Sequence, residues 1–118
     1  MTVLPVTDVA RARGFYEGRL GLGPGRMTPA GEVLYESGGS TLELSPRAQP
    51  TRAEHTVASF EVPDVPREVQ DLEKRGVRFE DYDLPGLRTV DHVAQRAGAR
   101  AAWFKDTEGN ILCIHDLH

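Results

Sequence analysis

Two rhythms alternate along the chain. In residues 2–7, "TVLPVT", Leu4 and Val6 take every second position, the period of a strand with one covered face. After Asp8 the period lengthens. Val9, Ala12, Phe15 or Tyr16, and Leu20 recur at helical spacing, Asp8 is placed to accept a free first-turn N–H, and Gly21 marks the stop. Short strands are predicted at about 23–28, 32–37 and 40–45, set apart by Pro24-Gly25, Pro29-Ala30-Gly31 and Gly38-Gly39. Residues 46–54, "PRAQPTRAE", have two prolines and no period, and read as a linker.

The pattern then starts again. "TVASFEV" (56–62) is a strand, Asp64 a cap, and Pro66 lies in the first helical turn, where it is tolerated. Val65, Val69 and Leu72 form the apolar stripe of this second helix, and Gly76 ends it. "VRFEDY" (77–82) is another strand, and "RAAWFK" with "NILCIH" makes a terminal hairpin about Gly109. Val6-Thr7-Asp8-Val9 matches Val62-Pro63-Asp64-Val65 at an offset of 56, and Gly39–Leu44 matches Gly109–Ile114 at an offset of 70. The surplus falls in residues 83–98, "DLPGLRTVDHVAQRAG", an irregular stretch long enough to serve as a lid. The expected fold class is α+β in a single domain of two βαβββ modules. Module one spans about 1–45, the linker 46–54, and module two about 55–118.

Strand parity divides the faces. Leu42 and Leu44, Leu112 and Ile114, and Ala58, Phe60 and Val62 are the aliphatic sets that helices should cover. Glu43, Cys113 and Val57 then point the other way.

Composition narrows the possible partners. The length of 118 residues suits one domain burying roughly two-thirds of its unfolded surface. No apolar run approaches the ~20 residues of a membrane span, and no signal-peptide pattern opens the chain, so a cytoplasmic protein without membrane contact is expected. The single Cys113 precludes an internal disulfide. A net charge of −4 with scattered basic residues argues against nucleic acid.

Three stretches carry a family resemblance: "VTDVARARGFYEGRLGLG", "VPDVPREVQDLEKRGVRF" and "AAWFKDTEGNILCI". In that order, on a repeat, they resemble the vicinal-oxygen-chelate superfamily of glyoxalase I, bleomycin-resistance proteins and extradiol dioxygenases. The resemblance covers nearly the whole chain. It implies that the modules pair into a half-open β-cup with helices outside. It also implies a divalent metal in the enzymes, held by one side chain from the first and last strand of each module. On the repeat, those positions are Met1, Val57, Glu43 and Cys113.

Met1 and Val57 cannot serve a hard cation, and a catalytic metal needs about three protein ligands, so Glu43 and Cys113 are a two-ligand remnant. A displaced site would draw on Glu43, Cys113 and His55, with His115 and His92 in reserve. The plainer readings are that His55 is a solvated strand-entry residue and Cys113 a small buried hydrophobe. Asp8 and Asp64 are caps, and "GLGPG" follows a helix, so it is no dinucleotide loop.

The first functional expectation is a homodimeric binding protein. It would hold a small organic molecule in the cup through Glu43, Val57, Trp103, Cys113, His92 and Arg88, without a complete metal site. The alternative is a lyase, isomerase or dioxygenase of the same superfamily, with a displaced divalent metal or with Glu43 as catalytic acid/base. A partner-binding domain with an exposed apolar patch is the third.

Overall fold

Leu4, Leu44 and Val33 lie side by side on three neighbouring strands, all at 0% exposure, and the first sheet is organised around that row. The computed structural model describes residues 2–37, 39–49, 51, 56–85, 87–96 and 98–117, with backbone alone at 37, 96 and 117. Met1, His55 and His118 lie outside the described residues. The chain divides into two units, Met1–Val57 with Asp106–Asn110, and Ala58–Lys105 with Ile111–His118.

The first unit holds β1 (Thr2–Val6), α1 (Val9–Arg13), β2 (Arg26–Met27), β3 (Val33–Ser37) and β4 (Ser40–Pro46). Its sheet has the order β1-β4-β3-β2, with β1 parallel to β4 and the remaining pairs antiparallel. Asp8 caps α1 by accepting from Arg11 N at 3.0 Å, as the spacing predicts. Beyond Arg13 the helix widens into a π-helical turn over Gly14–Arg19, closed by Leu20 N donating to Phe15 O at 3.1 Å. A π turn rotates less per residue than an α turn, so Phe15 and Tyr16 can share one side. Both are buried, where helical spacing alone offers one or the other. The strand expected at 23–28 contracts to Arg26–Met27, since Pro24 brings no ladder donor.

The second unit holds β5 (Thr56–Glu61) from Ala58 onward, α2 (Val65–Lys74), β6 (Phe79–Glu80), β7 (Asp83–Leu84), β8 (Leu87–Val90), β9 (Val93–Arg96), β10 (Ala99–Lys105) and β11 (Ile111–Leu117). Its sheet runs β5-β11-β10-β9-β8-β7, with β6 also paired to β10. Asp64 caps α2 by accepting from Arg67 N, and Gly76 ends the helix at φ 90°. Val65, Val69 and Leu72 are buried, as are Ala102, Phe104, Leu112 and Ile114 on the strands that α2 covers. Apart from Ala102, each such side chain contributes about 1.5–3 kcal/mol gross before entropy is subtracted. Ala58, Phe60 and Val62 are only half-buried, so the aliphatic face weakens along β5.

The 83–98 segment is not an irregular lid. Two four-residue runs, β8 and β9, pair through the two-residue turn Asp91-His92, and β9 docks on β10 with Ala94 opposite Ala101. One edge of β10 is therefore shared. Phe79 and Glu80 take Phe104 and Trp103, and β9 takes Ala99–Ala101. That sharing explains why β6 stops after two residues instead of filling 77–82. Two open sheets with two helices make the protein α+β. Among the described residues, no helix is long and apolar enough to cross a membrane.

Candidate functional site

On the first unit's sheet, one cross-strand row reads Val3, Glu43, Leu34 and Arg26. It faces away from the buried Leu4–Leu44–Val33 row, as parity requires. Glu43 is half-buried, and its side chain makes no hydrogen bond or ion pair with any described residue. Val57 is half-buried in β5.

On the second unit's sheet, the corresponding face carries the row Cys113, Trp103 and Glu80. Beside it runs His115, Ala101, Ala94 and Thr89. Trp103 meets Tyr82 edge to face, with ring centroids 5.5 Å apart at 87°. Tyr35 is fully buried in the first unit and donates its hydroxyl to Glu17 Oε2 at 2.8 Å. Ser59 Oγ lies 2.6 Å from His115 Nδ1, a short polar pair that the sequence reading missed. Its signal was available, since Ser59 shares the strand parity of Val57.

Cys113 is 6% exposed and donates weakly to Ile114 O at 3.4 Å. Burial pushes its thiol above the ordinary range, and the Ser59 hydroxyl opposes this only in part. Its raised pKa and burial disfavour the thiolate that a nucleophile needs.

The described residues do not fit a divalent metal. Val57 has no donor atom, and no three His, Cys, Asp or Glu side chains among the described residues gather where they could hold an ion. Met1 and His55, on which a displaced site would draw, lie outside the described residues.

Arg88 and His92 occupy the opposite face of the second unit's sheet. Together they line a cleft of about 640 Å³ between α2 and the β8–β9 hairpin, with Val69, Glu73, Gln95 and Arg100 among its walls. His92 lies between two carboxylates, Nδ1 2.9 Å from Asp81 Oδ1 and Nε2 3.4 Å from Glu73 Oε2, and stacks on Phe79. Arg100 is committed to the buried Asp116, which also accepts from Val65 N at the start of α2. Hydrogen bonding to Asp116 raises the Arg100 guanidinium further above its usual range. Trp103 and Cys113 are thus neighbours on one face of the sheet, whereas Arg88 and His92 are neighbours on the other.

The "DTEGN" motif is a structural latch within the first unit. Asp106 Oδ1 accepts from the backbone N–H groups of Glu108 and Asn110, at 2.8 Å each, and Asp106 Oδ2 accepts from the Tyr16 hydroxyl. Glu108 turns to the start of α1 and accepts from Thr7 N, Asp8 N and the Arg11 guanidinium. Its carboxyl is desolvated, which opposes ionisation. The bonds from Arg11, Thr107, Thr7 and Asp8 outweigh that and take its pKa down to about 2.

Comparison with known proteins adds the following. A family model described as Glyoxalase/Bleomycin resistance protein/Dioxygenase superfamily matches residues 1–114. No curated protein matches the chain. Among solved structures, it is similar to a glyoxalase family protein from Bacillus anthracis at 20% identity, with a TM-score of 0.76 over 99% of this chain and 90% of that one. It is also similar to the fosfomycin resistance protein FosX from Listeria monocytogenes, at 13% identity with a TM-score of 0.73 over 99% and 90%. TnmS3, an antibiotic binding protein from Streptomyces sp. CB03234, aligns at 20% identity with a TM-score of 0.67 over 98% and 92%.

Proposed function

The chain belongs to the Glyoxalase/Bleomycin resistance protein/Dioxygenase superfamily, and from that premise we propose that it binds a small organic molecule without a complete metal site. One observation carries this reading. Trp103 and Tyr82 form an aromatic corner beside the neutral Cys113, on the sheet face that α2 leaves uncovered. A flat ligand on such a corner gains roughly 25 cal/mol per Å² of apolar surface covered, and ring contacts add to that. Ser59 and His115 offer polar contacts that would orient it. In the first unit, Glu43 is the carboxylate proposed to meet a cationic or hydroxyl group, with Val57 an apolar contact. The functional unit is proposed to be a homodimer.

The similarity to TnmS3 supports this reading, and the FosX mutant solved with Mn(II) and a phosphonic acid keeps a metal enzyme in view as the family's other habit. One observation favours a metal-free enzyme as second reading: the 2.6 Å Ser59–His115 pair, in which a neutral imidazole can take a hydroxyl proton.

Trp103 is the chain's one tryptophan, so its fluorescence reports on the proposed face. Planar aromatic compounds, titrated with chelator present, should quench it saturably and raise the melting temperature. If none saturates, and purified protein holds one equivalent of divalent metal that Glu43→Ala loses, the binding reading fails and a metal enzyme replaces it.

A further inference from the structure

We propose that the cleft between α2 and the β8–β9 hairpin is a second binding site, on the sheet face opposite Trp103 and Cys113, for a compact organic monoanion whose carboxylate sits on Arg88. At about 640 Å³ the cleft falls in the size range of small-molecule sites. Pro66, Val69, Val90 and Val93 give it apolar walls, and Val90 is 65% exposed, a large aliphatic surface left for something to cover.

The charges choose the ligand. Five charged or titratable side chains line the cleft, and most are engaged. Arg100 is paired with Asp116, while Glu73 and Asp81 are shared by His92. The Arg88 side chain makes no hydrogen bond or ion pair with any described residue, although Asp83 lies directly across from it on β7. A planar guanidinium at the lip of an apolar cleft suits a carboxylate held by two parallel hydrogen bonds. Asp91 sits three residues further along the same hairpin, roughly 10 Å away by strand rise, and its charge disfavours a second anionic group. The ligand is therefore a monoanion with an apolar body.

The backbone points the same way. Asp91 and His92 both have left-handed backbones, φ 52° and 71°, in a turn where asparagine and glycine are the comfortable residues. Such strain persists where surrounding contacts over-determine it. Here those contacts are the hydrogen bond between His92 and Asp81, the stacking of His92 on Phe79, and the approach of its Nε2 to within 3.4 Å of Glu73 on α2. The cleft is thus built before any ligand arrives.

The test is a ¹H–¹⁵N titration with 1-naphthoate, and with 1-naphthalenemethanol as the uncharged control. Naphthoate should shift the amides of Val69, Gln70 and Val90–Val93 saturably. Arg88→Gln, at an exposed position, should weaken naphthoate about tenfold and leave the alcohol within about twofold. Shifts confined to Trp103, Cys113 and their neighbours, shifts that never saturate, or equal weakening of both probes would overturn the proposal. Quenching of Trp103 fluorescence reads the other face separately, so failure here is distinct from failure of the proposed function.

Discussion

Replacing Glu108 by glutamine removes one negative charge from the start of α1 and keeps the side-chain shape. In the native protein that carboxylate is 6% exposed and accepts from two backbone N–H groups, two hydroxyls and a guanidinium. These contacts hold its pKa at about 2, against 4.5 for the free side chain. At about 1.4 kcal/mol per tenfold change, the gap corresponds to roughly 3 kcal/mol of stability. The sign follows from the direction. A carboxyl whose pKa falls on folding contributes fully above 4.5, and the contribution disappears as pH drops toward 2. Urea unfolding at pH 7, followed by Trp103 fluorescence, should show Glu108→Gln weaker by about 3 kcal/mol, and by roughly half of that at pH 3. For a chain of 118 residues the pH 7 loss equals a fall of roughly 10 °C in Tm. A difference below about 1 kcal/mol at pH 7, or one that stays constant between pH 7 and 3, would refute the assignment of the carboxylate as the element that stabilises this turn.

Two further outcomes are expected. Tyr16→Phe deletes the hydroxyl that donates to Asp106 Oδ2 at 2.5 Å in a buried setting, and should cost about 1–3 kcal/mol in the same urea assay without altering the far-UV spectrum. Cys113, buried with its thiol pKa raised, should react with a disulfide reagent at pH 7 far more slowly than a model thiol. It should reach the model rate only in denaturant, and rapid native reaction would contradict its neutral state.

The repeat made much of this architecture legible. Asp8 and Asp64 cap because each stands before an apolar stripe of period 3.6, and the alternation of Leu42 with Leu44, and of Leu112 with Ile114, named the covered face of each sheet. Two features escaped. Residues 83–98 looked irregular because neither four-residue run has a long apolar alternation. Their pairing is settled by the edge of β10 that they join. Phe15 and Tyr16 could not both be assigned to the core without the π turn. Cys113 is buried, as its plainer reading expects, with Trp103 directly across from it. Of the site residues, Trp103 with Cys113 and Arg88 with His92 are brought together in pairs, and only strand parity could have told that the pairs lie on opposite faces.

The first unit is discontinuous in sequence, since five residues from near the C-terminus belong to it. A gene truncated after Val57 would encode β1, α1 and the sheet around Leu44, but not the carboxylate that occupies the start of α1 or the aspartate that receives the Tyr16 hydroxyl. The internal duplication is therefore no longer separable. The first repeat cannot be expressed by itself without leaving donors at Thr7, Asp8, Arg11 and Tyr16 that residues coded in the second repeat satisfy. A peptide carrying "DTEGN" would be the natural complement for such a truncated half.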